Sequence, residues 1–285
     1  MVALMCVRAG VAAALIVAAG HAIAAQPSGT VIAVIQSAEV DSVTGQKVLQ
    51  PLADIFSGDR INTGRVGEAQ IKFRDNTKLV VGPNSSMVID AFVFNNDDTA
   101  RQISINAVRG AFRFITGNSS KDAYSITTPT ATIGVRGTEF DVSVEPTGVT
   151  RVAAFSGVTI QCPRDSISGP IDRTQCIETT DPCTVSVIRP NRNIQRLTDT
   201  RDRARDLNWY FRYVRDQSML LDDFQVSLKG CTSAATLPET APPTVAPSPD
   251  APPPPPPTPP PDRPDKPDKP SDPPDNDDPP GGDSF

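Results

Sequence analysis

The sequence predicts an all-β body: an antiparallel sandwich or roll of short strands, followed by one C-terminal amphipathic helix and a disordered Pro-rich tail. Three observations carry this. Short windows of alternating apolar and polar residues recur between turn signals over 30–188. A change of period to three- and four-residue steps follows at 199–224. Finally, 21 of the 30 prolines crowd into residues 236–285.

The chain of 285 residues divides by composition into four parts: a leader 1–25, a β domain 26–190, a helical extension 191–235 and the tail 236–285. Arg8 precedes the apolar run "AGVAAALIVAAG", and Ala22-Ile23-Ala24 offers a small-x-small cleavage site, the pattern of a secretory signal peptide. Retention as an uncleaved anchor is the alternative. The run from Ala9 to Gly20 is short for a membrane span of about 20 residues, and no second apolar run follows. The expected location is periplasmic or secreted, including the cell surface.

Export shapes what the cysteines and the histidine mean. Cys6 leaves with the leader, so Cys162, Cys176, Cys183 and Cys231 remain, an even number that points to two disulfides. Three pairings are open. Gaps of 14, 7 and 48 positions lack the short paired spacing of a four-cysteine zinc site, so no metal site is expected. The only histidine, His21, also lies in the leader. Its removal excludes Ser-His-Asp and Cys-His nucleophiles and histidine acid–base chemistry.

Charge excludes another class. The tail holds ten acids and three bases, net −7, whereas residues 26–235 carry 23 of each sign. A nucleic-acid-binding domain is usually strongly basic, so none is expected here.

Within the β domain the expected strands are "TVIAVI" (30–35), "EAQIKF" (68–73) and "KLVVG" (78–82) joined by the turn "RDNT", then "SSMVIDAFVF" (85–94), "RQISINAV" (101–108) and "AFRFITG" (111–117). "TRVAAF" (150–155), "GVTIQC" (157–162) and "CTVSVI" (183–188) close the set. One strand, "TPTATIGVRGTEF" (128–140), breaks its own parity. Ala131, Ile133 and Val135 share a face, yet the next apolar residues are Phe140, Val142 and Val144. A step of five between Val135 and Phe140 requires the chain to gain or lose one position, so a bulge or bend is expected between Gly134 and Thr138. Arg136 then sits at the bend, either as a hydrogen-bonding clamp or as a ligand contact.

Beyond that strand, Leu207, Tyr210, Phe211, Val214, Leu221 and Phe224 form the apolar stripe of the expected helix, with Asp199 or Thr200 as its cap. It is expected to pack on the β domain, tethered through Cys231. A partner-docking role for its arginine-rich flank is the alternative. Glu139 and Asp141, two apart on a strand, are the one carboxylate pair with the spacing of a glycosidase site. The favoured reading places them on the polar outer face instead.

"TPTATIGVRGTEFDV" (128–142) resembles the signature segment of the FecR domain family. "SGDRINTGRVGEAQIKFRDNTKLVVGPNS" (57–85), "VRGAFRF" (108–114) and "VAAFSGVTI" (152–160) fit the family's opening, middle and closing strands. The resemblance spans roughly residues 57–160, with Gly134, Arg136, Gly137, Thr138 and Phe140 as its central motif. It implies an all-β periplasmic domain without catalytic activity or cofactor. In the best-known members it implies regulation, linking an outer-membrane iron transporter to a sigma factor. The expected role is a non-catalytic binding or scaffold module whose partner is an envelope protein or cell-wall glycan. The alternative is a signalling accessory to a TonB-dependent receptor, and a glycan hydrolase ranks third.

Overall fold

The computed structural model describes residues 26–95 and 98–231. The leader and the tail, with the expectations placed on them, lie outside the described residues. Fifteen strands follow in order: β1 (Gly29–Ile35), β2 (Ala38–Ser42), β3 (Gly45–Val48), β4 (Asp54–Ile55), β5 (Arg60–Thr63), β6 (Glu68–Phe73), β7 (Lys78–Val81) and β8 (Ser86–Phe94). The rest are β9 (Ala100–Ile115), β10 (Tyr124–Thr127), β11 (Ala131–Val144), β12 (Thr150–Pro163), β13 (Ile177–Thr179), β14 (Thr184–Ile188) and β15 (Ile194–Arg196). All belong to one hydrogen-bonded sheet, antiparallel except for the parallel pair β9–β10.

The sheet folds over on itself because three long strands change partners halfway. The first half of β9 lies between β8 and β10, and its second half lies between β7 and β11. In β11 the first residues pair with β10 and the last with β9, while β12 passes from β14 to β13. "RQISINAV" and "AFRFITG" are therefore one strand with a corner at Gly110, and "TRVAAF" and "GVTIQC" are one strand with a corner at Gly157. At each corner the inward parity flips. In β9 Ala107 is followed inward by Phe112, the same five-residue step seen between Val135 and Phe140 of β11.

Two of the corners require glycine. Gly110 has φ 111°, and a Cβ there would meet the Ser85 Cα at 2.5 Å. Gly157 has φ 70°, and its Cβ would meet the Gly137 carbonyl oxygen at 2.1 Å. A side chain at either would push backbone against backbone.

The folded sheet encloses the main core on its concave side. Phe112, Phe114, Phe140, Val142 and Val144 meet Ile71, Phe73, Met87, Ile103 and Ile133 there, all essentially without solvent exposure. Phe114 stacks on Phe140 with centroids 5.1 Å apart.

The convex side of the second half-sheet is covered by the C-terminal segment. Helix α1 (Thr200–Tyr210) starts at Asp199, whose carboxylate accepts the Arg201 and Asp202 amides. The single helix expected over 199–224 is broken at Phe211, where the backbone turns out of helical geometry before the short α2 (Arg212–Arg215). The reason is burial: Phe211 and Tyr213 are both covered, and residues two apart cannot face the same way on one helix. The break sends Phe211 into a cluster with Ala153 and Phe155 of β12, Val185 and Val187 of β14 and Leu207 of α1. Tyr213 instead joins Val80 of β7 with Leu220 and Phe224. Leu221, assigned to the apolar stripe, is exposed, and its neighbour Leu220 takes the buried place. Each such side chain contributes about 1.5–3 kcal/mol of apolar transfer. The resulting strap crosses the sheet from β14 to β7, and the Cys183–Cys231 disulfide fastens its far end. No helix among the described residues is long and apolar enough to cross a membrane.

Candidate functional site

The sequence motif at 128–140 leads to a groove on the outer face of the first half-sheet. The β11 ladder to β12 runs without interruption from Ala131 to Arg136 and then slips between Arg136 and Glu139, around Gly137, whose φ is 62°. Thr138 is buried, its amide donating to Thr116 Oγ1. Phe140 resumes the inward face. Arg136 does not act as the expected clamp: the slip turns it to solvent, and among the described residues its side chain makes no hydrogen bond or ion pair.

Inside the groove, the register places Ser125 of β10, Gly134 of β11 and Ile160 of β12 side by side. Thr132 and Cys162 form the next row. These residues floor a cavity of about 330 Å³. One wall is the short 3₁₀ turn Lys121–Ala123. It is held by Tyr124, whose hydroxyl donates to the buried carboxylate of Asp75 at 2.8 Å. The same Asp75 oxygen accepts Ser119 Oγ and Thr77 Oγ1. Burial raises the Tyr124 pKa, so the phenol keeps its proton and stays a donor.

The opposite wall carries Ile171 and Arg173. It belongs to the loop that the Cys162–Cys176 disulfide closes over 14 positions. Arg164 braces that loop from beneath, donating to the Gly169 carbonyl, to Thr132 Oγ1 at 3.0 Å and to Thr127 Oγ1 at 3.4 Å. Burial lowers its pKa. Of the three cysteine pairings open from sequence, the structure has Cys162–Cys176 and Cys183–Cys231.

Glu139 and Asp141 do not form an open acidic site. Asp141 is covered by the strap and bound bidentately by Arg113, Nε to Oδ1 at 2.7 Å and Nη2 to Oδ2 at 2.9 Å. The expected polar outer face is polar, and the strap buries it. Arg113 is wholly enclosed, stacked between Phe155 and Tyr213 and hydrogen-bonded to Gln217 of the strap. Glu68 completes the polar face by accepting the Tyr213 hydroxyl at 2.9 Å, and Gln70 exchanges bonds with the backbone at Met219 and Leu221. Sequence reasoning passed over Arg113. A lone arginine inside the apolar strand "AFRFI" was the available signal.

Residues 59–158 match the family model described as FecR protein. This chain carries a FecR domain. The FecR domain so bounded contains Gly110, Gly137 and Gly157, the groove floor from Ser125 to Arg136, and both Arg113 and Asp141. The strap, the groove wall with Ile171 and Arg173, and both disulfides lie outside it.

Among solved structures, the chain is similar to one described as a cell surface anchoring domain, at 32% identity over 21% of this chain and 82% of that one, with a TM-score of 0.21. Two crystal structures of a Parabacteroides distasonis protein designated an anti-sigma factor are 15% and 13% identical to it. Each match covers 48% of this chain and 58% of the other, with a TM-score of 0.37. No curated protein matches the chain.

Proposed function

We propose that this chain is an exported, non-catalytic binding or scaffold module of the bacterial periplasm or cell surface. The observation that carries the reading is the FecR match at 59–158, set in a body closed by two disulfides. Disulfides persist in oxidising compartments, which favours the periplasm or the exterior. The residues 26–190 act as the contact-making β domain, and its partner is an envelope protein or a cell-wall glycan. Catalysis by Glu139 and Asp141 is disfavoured because Arg113 occupies both carboxylate oxygens of Asp141.

The family match favours a second reading, a regulatory signalling domain that serves an outer-membrane TonB-dependent receptor. Capture from envelope extracts with the full chain separates the two. A glycan or wall polymer as the principal catch supports scaffolding, and a TonB-dependent receptor supports signalling. Finding the chain reduced in the cytosol with its leader attached would end both.

A further inference from the structure

Gly134 stands in the middle of a strand with partners on both sides, Ser125 and Ile160. An interior strand glycine usually marks a bulge, a bend or a close approach by ligand or backbone. The slip lies further on, past Arg136, so Gly134 serves no bulge. Its φ is outside the left-handed range, and a Cβ added to it would meet nothing within 4 Å. Backbone approach is thereby removed as a reason. What remains is open space at the centre of the groove floor, kept free at a cost in strand stability.

The charges around that space are mostly basic. Lys121, Arg136 and Arg173 stand at the rim, exposed, and their side chains make no hydrogen bond or ion pair among the described residues. Arg164 lies below them, 8% exposed, without a carboxylate partner, and its buried Nε has no acceptor. Asp122 is the acid on the rim. Asp165, near Arg164 in sequence, is engaged with Arg192. A buried guanidinium with no counter-charge is costly, and an anion nearby relieves that cost. Thr132 adds a directed donor: its Oγ1 accepts from Arg164, which leaves its own hydrogen free to point into the groove.

We propose that this groove binds a small oxyanion, a phosphate- or carboxylate-bearing molecule no larger than about one sugar unit or a short acidic peptide. Guanidinium forks match both oxyanions bidentately. The volume is that of a small-ligand site. The proposal sharpens the binding-module reading by naming a place and a ligand class. Envelope capture tests the module and the groove is tested on purified full-length chain, so either can fail alone.

The test is isothermal titration of the full chain with inorganic phosphate, pyrophosphate and glucuronate, with glucose as the neutral control. Saturable binding of at least one anion and none of glucose is expected, and the preferred anion assigns the source as phosphate ester or acidic sugar. A Cβ at Gly134 meets nothing within 4 Å, so Gly134→Val places apolar atoms in the open floor and should weaken binding by about tenfold or more while raising the melting temperature. Arg136→Glu with Arg173→Glu should cause a similar loss on the native fold, since loss of one charge-assisted hydrogen bond is worth roughly tenfold. Absence of saturable binding by all three anions, equal binding of glucose, or binding that Gly134→Val or the double charge reversal leaves intact would overturn the proposal.

Discussion

The two faces of the second half-sheet are both buried, yet they are built from opposite chemistry. On the concave face Phe112, Phe114, Phe140 and Val142 pack into the main core with no polar atom to satisfy. One residue along the same strands, on the convex face, sit Arg113 and Asp141, with Glu68 and Gln70 two strands away. The convex face is sealed by a strap that reaches it through specific bonds: Arg113 to Gln217, Tyr213 to Glu68 and Gln70 to the backbone at Met219. Apolar packing tolerates substitution by similar volumes, whereas a buried polar contact penalises every missing partner. The concave face thus supplies cohesion, and the convex face supplies register for one particular covering segment.

The largest break in this comparison comes from Arg113. Arg113→Met leaves Asp141 buried with its partner gone and Gln217 Oε1 with the Val226 amide as its remaining donor, at a cost of about 3–5 kcal/mol in chemical denaturation. The double variant Arg113→Met, Asp141→Leu should recover most of that loss, because an apolar pair of similar volume is often as stable as the ion pair it replaces. A single variant as stable as the parent would show that the strap does not depend on this pair.

The contrast between the faces also explains what the sequence could reveal. The concave face follows from local alternation, and the parity count from Val135 to Phe140 located the slip at Gly137 within a few residues. Short strands such as β3, β13 and β15 carry no such pattern, and β10 is too brief to show one. The convex face depends on partners 104 to 151 positions away, which no window of neighbouring residues contains. The burial of Asp141 and the break of the helix at Phe211 are both decided by what lies on the other side of the contact. The groove was half legible. Gly134 and Arg136 stood out in "TPTATIGVRGTEF", but the wall with Arg173 reaches them through the Cys162–Cys176 disulfide, whose pairing could not be read.

A smaller and more local break is expected at the end of the strap. Cys183→Ser with Cys231→Ser opens a closure of 48 positions, worth about 2–4 kcal/mol. The loss should fall on the strap before the main core, since no element beyond Cys183 enters that core apart from Ile188 and the flanking Ile194. Trp209, the only tryptophan, is half-buried on α1 and reports this directly. Its emission should shift to the red at denaturant concentrations where the sheet's circular dichroism is unchanged. Coincident transitions would mean that strap and sheet unfold as one unit.

The smallest effect is a change of pH dependence at Glu68, and its sign follows from burial. Desolvation raises the Glu68 pKa above 4.5, against the opposing hydrogen bonds from Tyr213 and Gln70. The folded chain therefore holds this proton at a pH where the unfolded chain has released it, and stability falls as pH climbs from 4.5 through the folded value. Asp59 and Asp141 are also raised by burial and slope the same way, so the wild-type curve alone does not isolate Glu68. The difference between Glu68→Gln and wild type does, because the other groups cancel. Glutamine keeps the shape and an acceptor for Tyr213 but has no proton to lose. Urea midpoints measured from about pH 4.5 to about pH 7 should move in favour of the glutamine variant as pH rises. A difference that stays constant, or that moves toward the wild type, would mean that Glu68 is stabilised as a carboxylate and that the convex face holds its charge as readily as water does.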